Sequence, residues 1–391
     1  MVVPVLLLLL ATLASALLAY GAHPAWARYE HGLVLIMASR HHQWPIAAAA
    51  MVLSLAVVAL VVAGRRRAWW LIGLAPVLAL FTHRFLTNPL RQFTVLDDPP
   101  LVQHEAVDFL DDDEYVVGVV FGARAIACPY RALYYAPVVF SSDHDRRMLL
   151  MWSALANRAS AWTISRELRP GDLEIVSMPA NALLIYNARL GQFINGLTGL
   201  TPDGQRPTGC VARLHPTRTT WAAWRSAHPA TLVMIPPTGR SGPTAPVGPW
   251  FAMPPVPPPP PQTPIVLIGT DPPAALPPAA ITRQPLHLTL GGIPVVLFRD
   301  PRDGQVRAFD RRIDELVPRF RINRDQRRRG AWLLDADSNS GWSADGRAVD
   351  GHFAAENRRL TPLPAEEGLY WGVMRAWMRD LVYVDPAAAP P

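Results

Sequence analysis

In the run DADSNSGWSADG, Asp335 to Gly346, the side chains of Asp335, Asp337, Asn339 and Ser343 surround Trp342 along the chain. Carboxylates, an amide and a hydroxyl beside an indole face can make a polar pocket with an aromatic platform, the arrangement that holds a sugar or another small polar ligand. The same residues also suit an Asx-rich loop whose tryptophan belongs to the core, and that is the simpler reading. Ser141, Ser142, Asp143, His144 and Asp145 are the residue types of a hydrolase. Adjacency in sequence gives no nucleophile-to-base geometry, however, and a hydrophilic loop accounts for them. The acidic run Asp111 to Glu114 lacks the alternate ligand positions and glycine turn of a calcium loop and reads as a surface turn. His104, His144, His215, His228, His287 and His352 form no pair at i, i+2 or i, i+4, and no glycine-rich phosphate loop or GxSxG elbow occurs. No metal, no cofactor and no catalytic residue is assigned.

The two cysteines, Cys128 and Cys210, have no nearby histidine at metal-ligand spacing. They are either one disulfide of an exported domain or two buried thiols. The arginine run Arg319 to Arg329 can bind phospholipid headgroups or other polyanions. A solvated hairpin with Arg319 and Arg321 on its exposed side explains it more simply.

Whatever site exists must be positioned by a chain of 391 residues in which 50% are hydrophobic and only 17% charged, a balance that points to a membrane region. The net charge of +6 is carried by arginine with no lysine, beside abundant alanine and 41 prolines. Such a composition follows codon bias, and no nucleic-acid partner is expected. Residues 1–20 and 44–64 are uncharged and long enough at about 1.5 Å per residue to cross roughly 30 Å of hydrocarbon. Residues 68–83 are shorter and contain Pro76, so they either span or lie at the interface. A cleaved leader competes for the first run, although it has no basic start. The stretch GLVLIMAS between the first two runs is too short to cross and reads as a loop or interfacial turn. The triplet Arg65-Arg66-Arg67 belongs on the cytoplasmic side, so a third crossing puts everything after Arg84 outside. The expected placement is a multi-pass protein of the cell membrane, with the lipid bilayer as a partner and a periplasmic or extracellular C-terminal domain.

Beyond the membrane region (1–84), short β-type runs separated by Gly, Pro, Asp and Asn appear at Tyr115 to Phe121, Met148 to Trp152, Ser160 to Ile164, Leu173 to Met178 and Ala182 to Tyr186. A short helix carrying Trp221 and Trp224 follows. The proline-dense stretch 236–264 reads as a linker. After it the order recurs, from Ile265 to Ile268 through Leu286 to Leu290, Val295 to Phe298, Val306 to Phe309, Arg319 to Ile322 and Trp332 to Leu334, to a helix through Trp371 and Trp377. MLLMW answers PVVLF, Trp162 answers Phe309, Asn187 and Ile194 answer Asp335 and Trp342, and Trp221 answers Trp371. The expected fold is α+β, mainly β: transmembrane helices, then a domain of roughly 120 residues present twice, at 95–235 and 265–384, each copy closed by one short helix.

Three stretches, VLDDPPLVQHEAVDFLDDDEYVVGVVFGARAIACPYRAL (Val95 to Leu133), TTWAAWRSAHPATLVM (Thr219 to Met234) and GWSADGRAVDG with RRLTPLP and YW (Gly341 to Trp371), together resemble the prokaryotic domain of unknown function 3179 family. The resemblance implies an architecture and no established activity. Many members carry a Cys-Pro-Leu-Cys-Gly turn where this chain has Ser153-Ala154-Leu155-Ala156-Asn157, so any thiol or soft-metal chemistry of that turn is not carried over. The functional expectation is a non-catalytic envelope module binding an unidentified protein or small polar ligand. The alternative is an enzyme with its site in a cleft between the two copies.

Overall fold

The computed structural model describes residues 2–64, 67–237, 239–325 and 327–387. Arg65 and Arg66 of the arginine triplet, Thr238 of the proline-rich stretch and Gln326 of the arginine run lie outside the described residues. The chain divides into unit 1, Met1–Pro255, and unit 2, Val256–Pro391, with the boundary inside the proline-rich stretch. It is α+β and mainly β, with apolar helices at the N-terminus.

Helices α1 (Val2–Tyr20) and α3 (Gln43–Val62) and the segment Ala68–Gln92 are each long and apolar enough to cross a membrane. The last begins as a 3-10 helix, Ala68–Leu74, and continues as α4, Ala75–Phe85. Pro76 falls in the first turn of α4, where its missing N–H leaves no bond unmade, so it starts a helix instead of breaking one. Tyr20 stacks on His83 at 5.1 Å, Trp44 on Phe85 at 6.2 Å, and Arg84 Nη2 donates to Gln43 Oε1 at 2.7 Å. The end of α1, the start of α3 and the end of α4 therefore meet at one end of the bundle. GLVLIMAS, expected as a loop or turn, is instead helical within α2 (Gly32–His41). Its ten residues reach only about 15 Å, half a hydrocarbon core, and fully buried Ile36 docks it on its surroundings.

Against that same end of the bundle lies the β part of unit 1: Ser177 Oγ donates to the Ala22 carbonyl at 2.6 Å, and Arg40 pairs with Glu174. One sheet runs Thr217–Thr220, Tyr115–Phe121, Arg124–Pro129, Leu232–Met234, Leu101–Gln103. All its neighbours are antiparallel except Arg124–Pro129 with Leu232–Met234. A second sheet contains the meander Val138–Asp143, Arg146–Ser153, Arg158–Ile164, extended by Cys210–Leu214 and, in parallel, by Val95–Asp97. Leu173–Ser177, Leu184–Asn187 and Gln192–Asn195 make a third.

In unit 2 the first sheet runs Ala365–Tyr370, Pro264–Ile268, Ala274–Leu276, Val382–Tyr383, with its last pair parallel and the others antiparallel. The meander is Leu286–Leu290, Ile293–Arg299, Val306–Asp310, extended by Thr361–Leu363. Phe320–Ile322, Leu333–Asp335, Gly341–Trp342 and Ala348–Asp350 form the third sheet. In both units the first sheet contains one parallel pair, made by the strand that follows the short helix, and the three-stranded meander is antiparallel; unit 1 has the additional strands Val95–Asp97 and Leu101–Gln103, and its third sheet has three strands where that of unit 2 has four.

A short helix follows the edge strand of the first sheet in each unit, Trp221–Ala227 and Trp371–Trp377. Trp221, Trp224 and Trp371 are all buried, and the indole N–H groups of the last two donate to Thr231 Oγ1 at 2.9 Å and to the Pro257 carbonyl at 2.8 Å. Trp224 lies so close over Gly118 that a Cβ there would sit 2.3 Å from the ring, so only glycine lets this helix reach the sheet. Both cysteines are free thiols, each buried in a separate cluster of unit 1, and burial pushes each up to about 12.

Candidate functional site

In unit 2, Asp335 ends a central strand and is 1% exposed. Its carboxylate accepts from the Asp337 N–H at 3.2 Å, from the Ser338 N–H at 3.1 Å and from the Ser338 hydroxyl, while its carbonyl accepts from the Asn339 N–H at 3.0 Å. Asn339 adopts φ of 58°, a left-handed position its short amide tolerates. Asp337 points outward toward Arg319 at 3.6 Å, and Ser343 Oγ accepts from the Arg347 N–H at 3.3 Å. Trp342 is fully buried, edge-on to Phe320 at 5.8 Å and tilted against Phe353 at 5.7 Å. The structure thus places Asp335, Asp337 and Asn339 in one turn and Ser343 at the start of another, with Trp342 on the strand between them and its indole facing the core.

The other polar runs are likewise engaged. Ser142 donates to Asp98 Oδ2 at 2.8 Å, Asp143 pairs with Arg124 at 3.1 Å, and His144 is exposed at a hairpin tip with φ of 52°. Glu114 pairs with Arg131; burial raises its carboxyl, and the Arg131 charge offsets part of that rise. Among the described residues, no three His, Cys, Asp or Glu side chains converge as a metal ion would require.

A cavity of about 220 Å³ opens in unit 1 where the strand Arg146–Ser153 ends. Its floor is the turn Ser153 to Asn157, the position at which the family resemblance leads one to look for two thiols. Asn157 holds a left-handed φ of 48° and its Oδ1 accepts from the Tyr130 hydroxyl at 2.8 Å, which fixes the turn beneath Trp152, itself 4.5 Å from the Tyr130 ring. Phe93, Trp152, Leu155, Met178, Trp250 and Phe251 are among the side chains that line it. Trp250 and Phe251 come from the proline-rich stretch and are held by Asn181, whose Oδ1 accepts from both their N–H groups at 2.8 and 2.7 Å and whose Nδ2 donates to the Phe251 carbonyl at 2.9 Å.

Ser153 and Asn181, two polar side chains of this cavity, are committed to the fold, whereas the buried Trp152 Nε1–H has no hydrogen-bond partner among the described residues. Ser153 Oγ accepts from the Leu183 N–H at 3.0 Å, and Asn181 is occupied as above. Tyr134 is its one ionisable lining side chain, and burial, then the neighbouring Tyr135, raises its hydroxyl further from ionisation. No nucleophile and base face each other, so the cavity can bind by apolar contact and has no evident proton-transfer pair. A second cavity of about 370 Å³ shares Leu90 and Phe93 with the first and is lined by Arg84, Asn88, Arg91 and Glu174 together with the apolar Val95, Leu173 and Ile175.

Sequence reasoning missed both cavities. The available signal was an aromatic pair, Trp250-Phe251, in a stretch otherwise suited to a bare tether. Residues 93–378 match the family model described as "Protein of unknown function (DUF3179)". No curated protein and no solved structure matches the chain.

Proposed function

Since the chain belongs to the DUF3179 family of proteins of unknown function, we propose its role from geometry: it is a membrane-anchored, non-catalytic binding module that takes a small apolar ligand in the cavity over the Ser153 to Asn157 turn. The observation that carries this reading is a cavity lined mainly by aromatic and aliphatic side chains, in which Ser153 and Asn181 already serve the fold. Burying an apolar ligand there gains about 25 cal/mol per Å² without leaving a ligand group unpaired.

The same proposal includes the architecture. The matching strand orders and the paired tryptophan helices support two copies of one domain. The meeting of α1, α3 and α4 ends supports a third crossing, which with the positive-inside rule puts the β units in the periplasm or outside the cell. Alkaline phosphatase fused after Arg91 and after Val384 should be active at both places; inactive fusions overturn the placement.

The binding reading is tested by photolabelling the full chain in detergent with a neutral diazirine-bearing alkyl alcohol and mapping the adducts by peptide mass spectrometry. Adducts are expected at 152–155 and 250–251. Ala154→Phe, and the milder Ala154→Leu, should reduce them by roughly tenfold, the equivalent of about 1.4 kcal/mol, with thermal stability checked in parallel. Labelling of these segments that is unchanged in both variants overturns the reading.

A further inference from the structure

Resting on that binding reading, we infer that the ligand is an anionic lipid drawn from the bilayer, its chain in the apolar cavity and its headgroup in the second cavity against Arg84 and Arg91. Three observations carry this. First, the two cavities share Leu90 and Phe93 in their linings, so they are neighbours in the fold, and their volumes together fall within the about 300–1,000 Å³ typical of small-molecule sites. Second, their polarity differs in the sense an amphiphile requires: the first is lined mainly by aromatic and aliphatic side chains, while the second adds to its apolar lining the guanidinium groups of Arg84 and Arg91 and the carboxylate of Glu174. Third, both are built partly from segments bordering the apolar helices. Pro24 follows α1 and lines the first cavity; Arg84 lies in the last turn of α4 and lines the second; Leu90 and Phe93, just beyond α4, line both.

The charge balance favours an anion. Glu174 is the one carboxylate lining the second cavity, and it is already paired with Arg40; its other oxygen lies 3.7 Å from Arg84. Arg84 gives a further donor to Gln43. Arg91 is exposed, and its guanidinium makes no hydrogen bond or ion pair among the described residues. Two guanidinium groups thus line this cavity with one carboxylate that Arg40 already engages, and a phosphate or carboxylate headgroup supplies the missing charge with the bidentate geometry arginine favours.

The test uses the full chain in nanodiscs of equal phosphatidylcholine and phosphatidylglycerol with identical acyl chains, extracted gently, with retained lipid counted by native mass spectrometry. Wild type should retain phosphatidylglycerol over phosphatidylcholine by roughly tenfold, about 1.4 kcal/mol. Arg91→Gln should bring that ratio close to one while leaving labelling by the neutral alkyl probe unchanged, since Arg91 does not line the first cavity and its guanidinium makes no hydrogen bond or ion pair among the described residues. Ala154→Phe should lose both. Glycerol phosphate, the headgroup without chains, should fail to displace the retained lipid; displacement would reassign the site to a free phosphate and overturn the lipid inference. Equal retention of the two lipids by wild type with probe labelling intact overturns the headgroup assignment and leaves the binding reading standing. Absence of labelling overturns both, and a preference that survives Arg91→Gln overturns the role of Arg91.

Discussion

Between the second and third strands of its meander, each unit turns over a short loop, and the two loops are finished in opposite ways. In unit 1 the loop is Ser153 to Asn157, it carries no charge, and the aromatic cavity stands over it. In unit 2 the strand Ile293–Arg299 leads into Asp300 to Gln305, where Asp300 is 1% exposed. Arg302 reaches its two oxygens at 3.0 and 2.6 Å, and Arg307 Nε donates to it at 3.2 Å. Arg302 continues to Asp345 at 2.7 and 3.1 Å, and Arg307 to Asp303 at 2.6 Å. A buried carboxylate must be satisfied, and satisfying it fills the space with guanidinium groups. Unit 1 has no such demand at this loop and leaves room for a guest. At the loop between the second and third meander strands, unit 2 carries an ion network and unit 1 a cavity.

The largest expected effect tests whether unit 2 keeps an aromatic platform of its own. Trp342→Ala should destabilise unit 2 by about 3–5 kcal/mol, the cost of removing a buried aromatic ring. Hydrogen exchange should rise in Phe320–Ile322 and Leu333–Asp335 while the strands of unit 1 remain protected. A variant that keeps its stability and loses only binding of a small polar ligand would return Trp342 to a site role and weaken the contrast between the units.

Next comes the ion network. Asp300→Ala leaves Arg302 and Arg307 without their shared acceptor and should cost about 1–3 kcal/mol in unit 2, read from chemical denaturation of the full chain with unit-resolved exchange. Loss in unit 1 instead would show that the network is not the closure of its own loop.

How far this contrast was legible in the sequence depends on the range of the interactions involved. Tyr115–Phe121 and Leu286–Leu290 have the strand bounds their apolar runs imply, and Trp371–Trp377 is the helix its tryptophan spacing marks, because those signals are local. α2 was not legible: GLVLIMAS is too short to cross, and shortness alone does not separate a docked helix from a loop. In the Asp335 to Ser343 run the residue types were plain, but which way Trp342 faces is decided by Phe320 and Phe353 across the sheet. The cavity needed Asn181 to capture Trp250 and Phe251 from 69 and 70 residues away, a contact no local pattern announces.

Acid should separate the units further. His287 Nε2 accepts from the Phe320 N–H at 3.0 Å, and burial, then the charges of Arg311 and Arg319, lowers its imidazolium pKa from 6.5 to about 4. The unfolded chain therefore binds this proton more readily, so the contribution to unit 2 is whole above pH 6.5 and is lost as pH falls toward 4. Burial would raise the Asp300 carboxyl, but the hydrogen bonds and charge of Arg302, with help from Arg307, outweigh it and hold the group at about 2 against an ordinary 3.8. Its contribution is present above pH 3.8 and disappears as pH falls through 2. His287→Gln, whose amide oxygen can accept the same N–H, should flatten the stability of unit 2 between pH 6.5 and 4 and leave the lower step in place. A slope unchanged by that substitution would remove His287 from the account.

The smallest effect is the sharpest on what the open loop is for. Ala154 lines the cavity with a single methyl group, so Ala154→Leu adds apolar volume where there is space to receive it. In a filled core, added methylenes force neighbours off their rotamers at about 1–3 kcal/mol. In an open cavity the added contacts offset the lost freedom, and the thermal stability of the full chain should move by less than about 1 kcal/mol in either direction. Stability thus stays nearly fixed while alkyl labelling falls, a combination that a merely imperfect core would not give. Were Ala154→Leu to stabilise the chain strongly with labelling unaffected, the space would be a packing defect, and the two loops would differ in how well they are filled and not in what they do.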